Sequence, residues 1–110
     1  MDFVAERVGD RLRIRLRGEV DHHNAAEVRS RIDRVLEAER PEGLLFNLRE
    51  VSFCDSSGLG LVMGRLRKCD ALGIEMKIEE PSEAVVKILR IAGMDKLLTT
   101  EKEKTDGKAS

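Results

Sequence analysis

Aromatic side chains are scarce in this 110-residue chain, which has three phenylalanines and no tryptophan or tyrosine. Proteins that hold single-stranded nucleic acid stack its bases on aromatic rings, so the composition disfavours that class. A surplus of one charge is also missing, because 20 basic residues stand against 21 acidic ones for a formal net charge of −1. We therefore expect no direct binding to nucleic acid or to a membrane.

Long apolar runs and metal-binding patterns are missing as well. No run approaches the roughly 18 apolar residues that cross a bilayer, and no basic-then-apolar leader opens the sequence, so we expect a cytoplasmic protein. Cys54 and Cys69 lack ligand spacing, and His22 and His23 are adjacent and cannot share a helix face. We expect reduced thiols, no metal and no cofactor.

The apolar residues that are present follow regular patterns, and the length suits one domain. Residues 3–8 and 11–17 flank Gly9-Asp10, a pair typical of a two-residue hairpin loop. In the second of these segments leucine and isoleucine alternate with arginine, which predicts a strand with one buried and one solvated face. An antiparallel hairpin is therefore expected to open the fold.

Helices and strands alternate after this hairpin. Asn24 and Glu27 resemble a capping box at the start of a helix that runs to about residue 38. The remaining patterns predict a strand over 44–48, a helix over 57–71 that stops at Gly73, a strand over 74–79, and a helix from Pro81-Ser82 to Gly93. The sequence thus predicts an α/β domain, with a mixed β-sheet continued by β-α-β units and helices packed on it.

The segment between the third strand and the second helix combines a carboxylate with two hydroxyls: Asp55-Ser56-Ser57-Gly58-Leu59-Gly60. Asp and Ser are preferred N-cap residues, and capping alone explains one of them. At least one hydroxyl is then surplus. The N–H groups of the first turn and the helix dipole would stabilise a phosphate there, so a serine of this segment is either a cap or a phosphoacceptor.

Two enzymatic interpretations fit this segment poorly. Gly58, Gly60 and Gly64 lack the spacing of a dinucleotide-binding loop, and close packing of the helix on the sheet explains Gly60 and Gly64 more simply. A serine hydrolase would place glycine two residues before its nucleophile, and this motif does not. We therefore expect a protein that is not an enzyme.

Two segments carry a family resemblance: Glu19-Val20-Asp21-His22-His23-Asn24-Ala25 and Ser52-Phe53-Cys54-Asp55-Ser56-Ser57-Gly58-Leu59-Gly60. Both resemble the anti-sigma factor antagonists of the STAS superfamily, especially the sporulation stage II type of the sigma-F pathway. The resemblance covers about residues 3–98 and implies a STAS domain over residues 1–100. Residues 101–110 are polar and lack an apolar stripe, so we expect a disordered tail where relatives usually form a last strand and helix.

In that family the first serine of the Asp-Ser-Ser-Gly motif accepts phosphate, so the resemblance implies phosphorylation of Ser56, and we expect Ser57 to cap the helix. The unphosphorylated form is expected to bind an anti-sigma factor that is also a serine kinase, and thereby to free the sigma factor. Phosphorylation would end this binding, and a metal-dependent serine phosphatase would restore it. The free protein is expected to be monomeric.

The resemblance also implies one recognition surface around Ser56. It would join the loop of Asp21, His22, His23 and Asn24 to the helix start of Asp55, Ser57, Gly58 and Leu59. A helix start with two solvated histidines would explain the same loop without a partner. The alternative function is a STAS-type subunit of another stress-signalling complex, or a small-ligand sensor, with the same fold and a different partner.

Overall fold

A computed structural model of the chain describes residues 1–94. Its elements are β1 (Asp2–Val8), β2 (Arg11–Val20), α1 (Ala25–Glu39), β3 (Gly43–Cys54), α2 (Ser56–Leu72), β4 (Glu75–Glu79) and α3 (Glu83–Ile91). The strands form one sheet in the order β1-β2-β3-β4, in which β1 and β2 are antiparallel and the other pairs are parallel. The predicted α/β fold with a mixed sheet is confirmed. The predicted tail, residues 101–110, lies outside the described residues.

One face of the sheet is apolar and buried under the helices. Ile14 of β2, Phe46 of β3 and Ile78 of β4 are neighbours across the sheet, and each is at most 2% exposed. The helices contribute the following buried residues to the same cluster: Val28, Ile32, Leu36, Leu61, Val62, Cys69, Val85 and Leu89. Since a fully buried side chain of this kind stabilises the fold by about 1.5–3 kcal/mol, this layer holds the domain together.

The opposite face is polar, as the alternation in β2 predicted. Arg13 donates to both carboxylate oxygens of Glu79, over 2.8 and 2.9 Å, and Asn47 donates to the same carboxylate over 3.1 Å. The bond from Arg13 is the main reason that the pKa of Glu79 is lowered. Asn47 interrupts the apolar run over residues 44–48 of β3 because its side chain lies on this face.

Strands β2 and β3 run further than the sequence pattern indicated. Their parallel ladder shifts register between Arg15 and Arg17 and again between Gly18 and Glu19, and it then continues until Val20 pairs with Cys54. Irregularities of this kind bend a strand and redirect its end. The ladder therefore places the end of β2 beside the end of β3, where α2 begins.

The helix ends agree with the sequence at α2 and α3 and differ at α1. Gly73 ends α2 with a φ of 73°, and the Ser82 hydroxyl accepts a bond from the Val85 N–H at the start of α3. Asn24 precedes α1 but makes no side-chain capping bond to it. The predicted capping box is therefore wrong, because the Asn24 side chain bonds to the segment before the helix.

Candidate functional site

Ser56 is the first residue of α2 and follows directly on the end of β3. Asp55, between them, has extended backbone, and its Oδ1 accepts bonds from the N–H groups of Ser57 over 2.8 Å and of Gly58 over 3.3 Å. Asp55 is therefore the cap, and the expectation that Ser57 caps α2 is wrong. Ser56 is exposed and Ser57 is half-buried. Neither hydroxyl is needed to begin the helix.

Three amides at the start of α2, those of Ser57, Gly58 and Leu59, already have acceptors. The Asp55 side chain accepts hydrogen bonds from the N–H groups of Ser57 and Gly58, and the Asp55 carbonyl accepts one from the Leu59 N–H over 3.0 Å. These three amides are therefore not free to bind a phosphate while Asp55 stays in place. A phosphoryl group on Ser56 would add about 1.5–2 negative charges next to the Asp55 carboxylate without those donors.

The loop between β2 and α1 is held in a tight turn by its own side chains. The Asp21 carboxylate accepts from the His23 N–H over 2.9 Å, and Asn24 Oδ1 accepts from the Asp21 N–H over 3.1 Å. Asn24 Nδ2 donates to the Glu19 carbonyl over 2.8 Å. The bond from His23 is the main cause that lowers the pKa of Asp21. These hydrogen bonds hold the loop in one conformation.

This loop lies against the start of α2. The Asp55 N–H donates to the Val20 carbonyl over 3.3 Å, and His22 Nδ1 lies 4.0 Å from Asp55 Oδ2. His22 and His23 are exposed, and their ring centroids are 4.0 Å apart. The structure therefore brings the predicted loop and the predicted helix start onto one surface, with the two imidazoles at its edge.

Gly58 is required where α2 meets the two strand ends. A Cβ at this position would overlap Cys54 Sγ and come within 3.2 Å of Val20 Cγ1. At Gly60 and Gly64 a Cβ would meet no atom within 4 Å. The prediction that Gly60 and Gly64 allow close packing of α2 is thus wrong, and Gly58 has that role. Leu59, next to it, packs partly against the core.

A cleft of about 390 Å³ runs between α1 and α2 from the edge of this surface. Its lining residues are His22, Ala25, Ala26, Arg29, Ser57, Gly60 and Leu61. The sequence analysis did not assign Ala25, Ala26, Arg29 or Leu61 to the site. The spacing of three to four residues indicates that the lining residues of each helix lie on one face of that helix. Only the fold shows that these two faces are next to each other.

A buried ion pair joins the same two helices below the cleft. Arg65 of α2 is 6% exposed, and its Nε lies 2.9 Å from Oδ1 of Asp33 on α1. Burial is the main cause that lowers the pKa of Arg65. Removal of one partner from a buried pair leaves an uncompensated charge, which destabilises strongly. The pair therefore links α1 and α2, the helices whose starts form the two halves of the surface.

The thiol next to this surface is held in its protonated form. Burial, together with Asp55, raises the pKa of the Cys54 thiol to about 11, so the reactive thiolate is scarce at neutral pH. Across residues 1–94 no group of three or more potential ligands is arranged to hold a metal ion. Within that part of the chain no helix is long and apolar enough to cross a membrane.

Comparison with known protein families places this chain in one of them. The STAS domain matches residues 2–106, and the chain belongs to that family. Within it, the chain belongs with the anti-sigma factor antagonists. It is 36% identical to the anti-sigma F factor antagonist of Lysinibacillus sphaericus over 81 residues, which are 74% of this chain and 69% of the relative.

Solved structures support the same assignment. The anti-sigma factor antagonist SpoIIAA in its unphosphorylated form superposes with a TM-score of 0.76 at 29% identity, over 96% of this chain and 97% of that chain. The Bacillus cell fate determinant SpoIIAA in its phosphorylated form superposes with a TM-score of 0.69 at 32% identity, over 87% of each chain. Chains of this fold have thus been solved with and without phosphate.

Proposed function

We propose that this protein is a phosphorylation-controlled antagonist of an anti-sigma factor, of the sporulation sigma-F type. Without phosphate, it binds an anti-sigma factor that is also a serine kinase, and the sigma factor is released. Phosphorylation of Ser56 by that kinase ends the interaction, and a metal-dependent serine phosphatase restores it. The protein acts in the cytoplasm, is monomeric when free and catalyses no reaction itself.

The observation that carries this proposal is the position of Ser56 at the start of α2. Asp55 makes the capping bonds over 2.8 and 3.3 Å, so the exposed Ser56 hydroxyl is free to be modified without loss of the cap. The similarity to a SpoIIAA structure in phosphorylated form supports phosphorylation as a form of control in this family. Ser57 is the less suitable acceptor because it is half-buried in the cleft between α1 and α2.

Charge at the interface explains how the phosphate would end binding. Asp21 and Asp55 already lie on this surface, and Asp55 occupies the amides of Ser57 and Gly58, which could otherwise compensate a further anion. A partner fitted to a neutral hydroxyl would have to bury a dianion without compensation, which costs several kcal/mol. A penalty of about 3 kcal/mol weakens binding roughly 150-fold, which is enough to release the partner. No rearrangement of the free domain is required.

The test uses the purified chain, its cognate anti-sigma factor and ATP, with intact mass as the readout. We expect one added phosphate on the wild type and on Ser57→Ala, and none on Ser56→Ala. Ser56→Ala should keep its melting temperature, since Ser56 is not the cap, and should bind the partner permanently. Phosphate on Ser57 alone, or no phosphate on any form, would contradict the proposed switch.

A further inference from the structure

The cleft between α1 and α2 carries a positive charge without a partner in the described part of the chain. Arg29 of α1 is exposed at this cleft, and within residues 1–94 no carboxylate forms an ion pair with it. His22 is the other basic residue of the lining, and no lining residue is acidic. A negatively charged group of another molecule would therefore find a cation here.

Two ion pairs join the facing sides of α1 and α2 beyond this cleft. Arg65 Nε of α2 lies 2.9 Å from Asp33 Oδ1 of α1, and Lys68 of α2 pairs with Glu37 of α1. Residue numbers rise together along both helices in these pairs, so the two helices run in the same direction. In each pair α1 supplies the acidic residue and α2 supplies the basic one.

Arg29 breaks this arrangement one turn before the first pair. It lies four residues before Asp33, on the same face of α1. Four residues before Arg65, α2 has the apolar Leu61, and Gly60 beside it leaves open space, since a Cβ there would meet no atom within 4 Å. Burial is the main cause that lowers the pKa of Arg65, and the charge of Arg29 adds to it. The α2 side of the cleft thus offers no carboxylate, and the cation of α1 is left over.

The cleft opens beside Ser56. Ser57, the next residue, is part of its lining, and so is His22, whose Nδ1 lies 4.0 Å from Asp55 Oδ2. A protein that covers Ser56 is therefore next to the cleft as well. The two places differ in charge, because the Asp55 carboxylate lies beside Ser56 and Arg29 lies in the cleft. Charges of opposite sign on the partner would fix its orientation on this surface.

We propose that the cleft between α1 and α2 receives a carboxylate side chain of the anti-sigma factor, which forms an ion pair with Arg29. This inference rests on the proposed function and adds a chemical requirement for the partner. A guanidinium binds a carboxylate through two parallel hydrogen bonds, and the pair is neutral. The apolar lining, from Ala25, Ala26 and Leu61, suits the carbon atoms of an aspartate or glutamate. A phosphate dianion would keep an uncompensated charge beside one arginine.

The experiment measures binding of the purified cognate anti-sigma factor by isothermal titration calorimetry. Arg29→Glu should raise Kd about tenfold or more, because two carboxylates would then meet in the cleft. Arg29→Lys keeps the charge and should raise Kd less than about threefold. Arg34→Glu is the matched control, since Arg34 is an exposed arginine of the same helix that does not line the cleft. It should change Kd less than about twofold.

A second variant tests the cleft without a change of charge. Gly60→Leu places a side chain in the open space of the cleft and should also weaken binding. Thermal unfolding shows whether each variant is folded. Normal binding by Arg29→Glu, or an equal loss in Arg34→Glu, would overturn the inference while leaving the proposed function intact. A wild type that binds no anti-sigma factor would overturn both.

Two further measurements separate docking from other roles of Arg29. In phosphorylation of Ser56 by the anti-sigma factor, Arg29→Glu should raise KM and leave kcat unchanged, because the contact is made with the partner and not with the reacting atoms. A fall in kcat at constant KM would contradict docking. Titration of the chain alone with inorganic phosphate should give no binding heat. Heat that disappears in Arg29→Glu would assign the cleft to a free anion and overturn the inference.

Discussion

Helices α1 and α2 begin in opposite ways, although both follow a strand at the same edge of the sheet. Asp55 uses its side chain to cap α2, and it accepts bonds from two amides of the first turn. Asn24 turns its side chain away from α1 and bonds backward to Glu19 and Asp21. Because Asp55 caps α2, the serine hydroxyls are not needed for capping. Because Asn24 bonds to Glu19 and Asp21, the loop beside those hydroxyls is held in one conformation. Under the proposed function, the start of α2 would supply the phosphorylated serine and the start of α1 would supply the loop beside it.

The largest change in stability is expected at Gly58, where α2 packs closely against the ends of β2 and β3. Gly58→Ala should destabilise the fold by about 1–3 kcal/mol, because its Cβ would overlap Cys54 Sγ and the core must shift. Gly60→Ala is the matched control on the same helix. It should stabilise by about 0.5–1 kcal/mol, since no atom is crowded and alanine is the better helix former. Urea unfolding measures the free energy of unfolding of both variants. Equal effects would show that close packing of α2 does not depend on Gly58.

Serine substituted at each helix start tests the comparison directly. Serine and asparagine are similar N-caps, so a capping role for Asn24 would make Asn24→Ser nearly neutral. We expect instead a loss of about 1–2 kcal/mol, because the amide bonds to Glu19 and Asp21 disappear. Asp55→Ser keeps an oxygen for capping and should lose less than about 1 kcal/mol. If thermal unfolding showed a larger loss for Asp55→Ser than for Asn24→Ser, the roles assigned to Asp55 and Asn24 at the two helix starts would be wrong.

The smallest effect is a pH dependence of the loop. The folded-state pKa of Asp21 is lowered, mainly by the bond from the His23 N–H. A depressed pKa means that its contribution to stability is present above the unfolded-state pKa, about 3.8, and is lost as pH falls through the folded-state value. Melting temperatures of the wild type and Asp21→Asn should therefore differ at neutral pH and converge in strong acid. A constant difference would assign the effect to packing instead.

Local signals in the sequence were sufficient for most of the fold. The alternation in β2 predicted both sheet faces, and Gly73 and Ser82 predicted two helix ends. Each of these features depends only on residues that are close together in the sequence. The strand ends were placed too early, since the ladder between β2 and β3 continues past two register shifts to Val20 and Cys54. Such irregularities depend on the pairing strand, which a single segment does not reveal.

The details of the site depended on contacts between distant residues. A capping pattern at Asn24 looked complete, yet the donors and acceptors of the preceding turn compete for the same side chain. The choice among Gly58, Gly60 and Gly64 required the face of α2 that meets Cys54. The Arg65–Asp33 pair joins two helices across the core, and a charged residue in a helix pattern is normally expected in solvent. The motif itself, in contrast, is contiguous and was recognisable.

The cap at Asp55 has a consequence for how a switch at Ser56 would keep its state. The Asp55 cap and the contact of Gly58 with Cys54 do not involve the Ser56 hydroxyl, so the proposed phosphorylation requires no change of fold. Under the proposed function, the phosphate ester alone would then store the signal, and one enzyme would form it and another would hydrolyse it. The duration of a signal would be set by the ratio of those two activities, and the domain itself would add no delay.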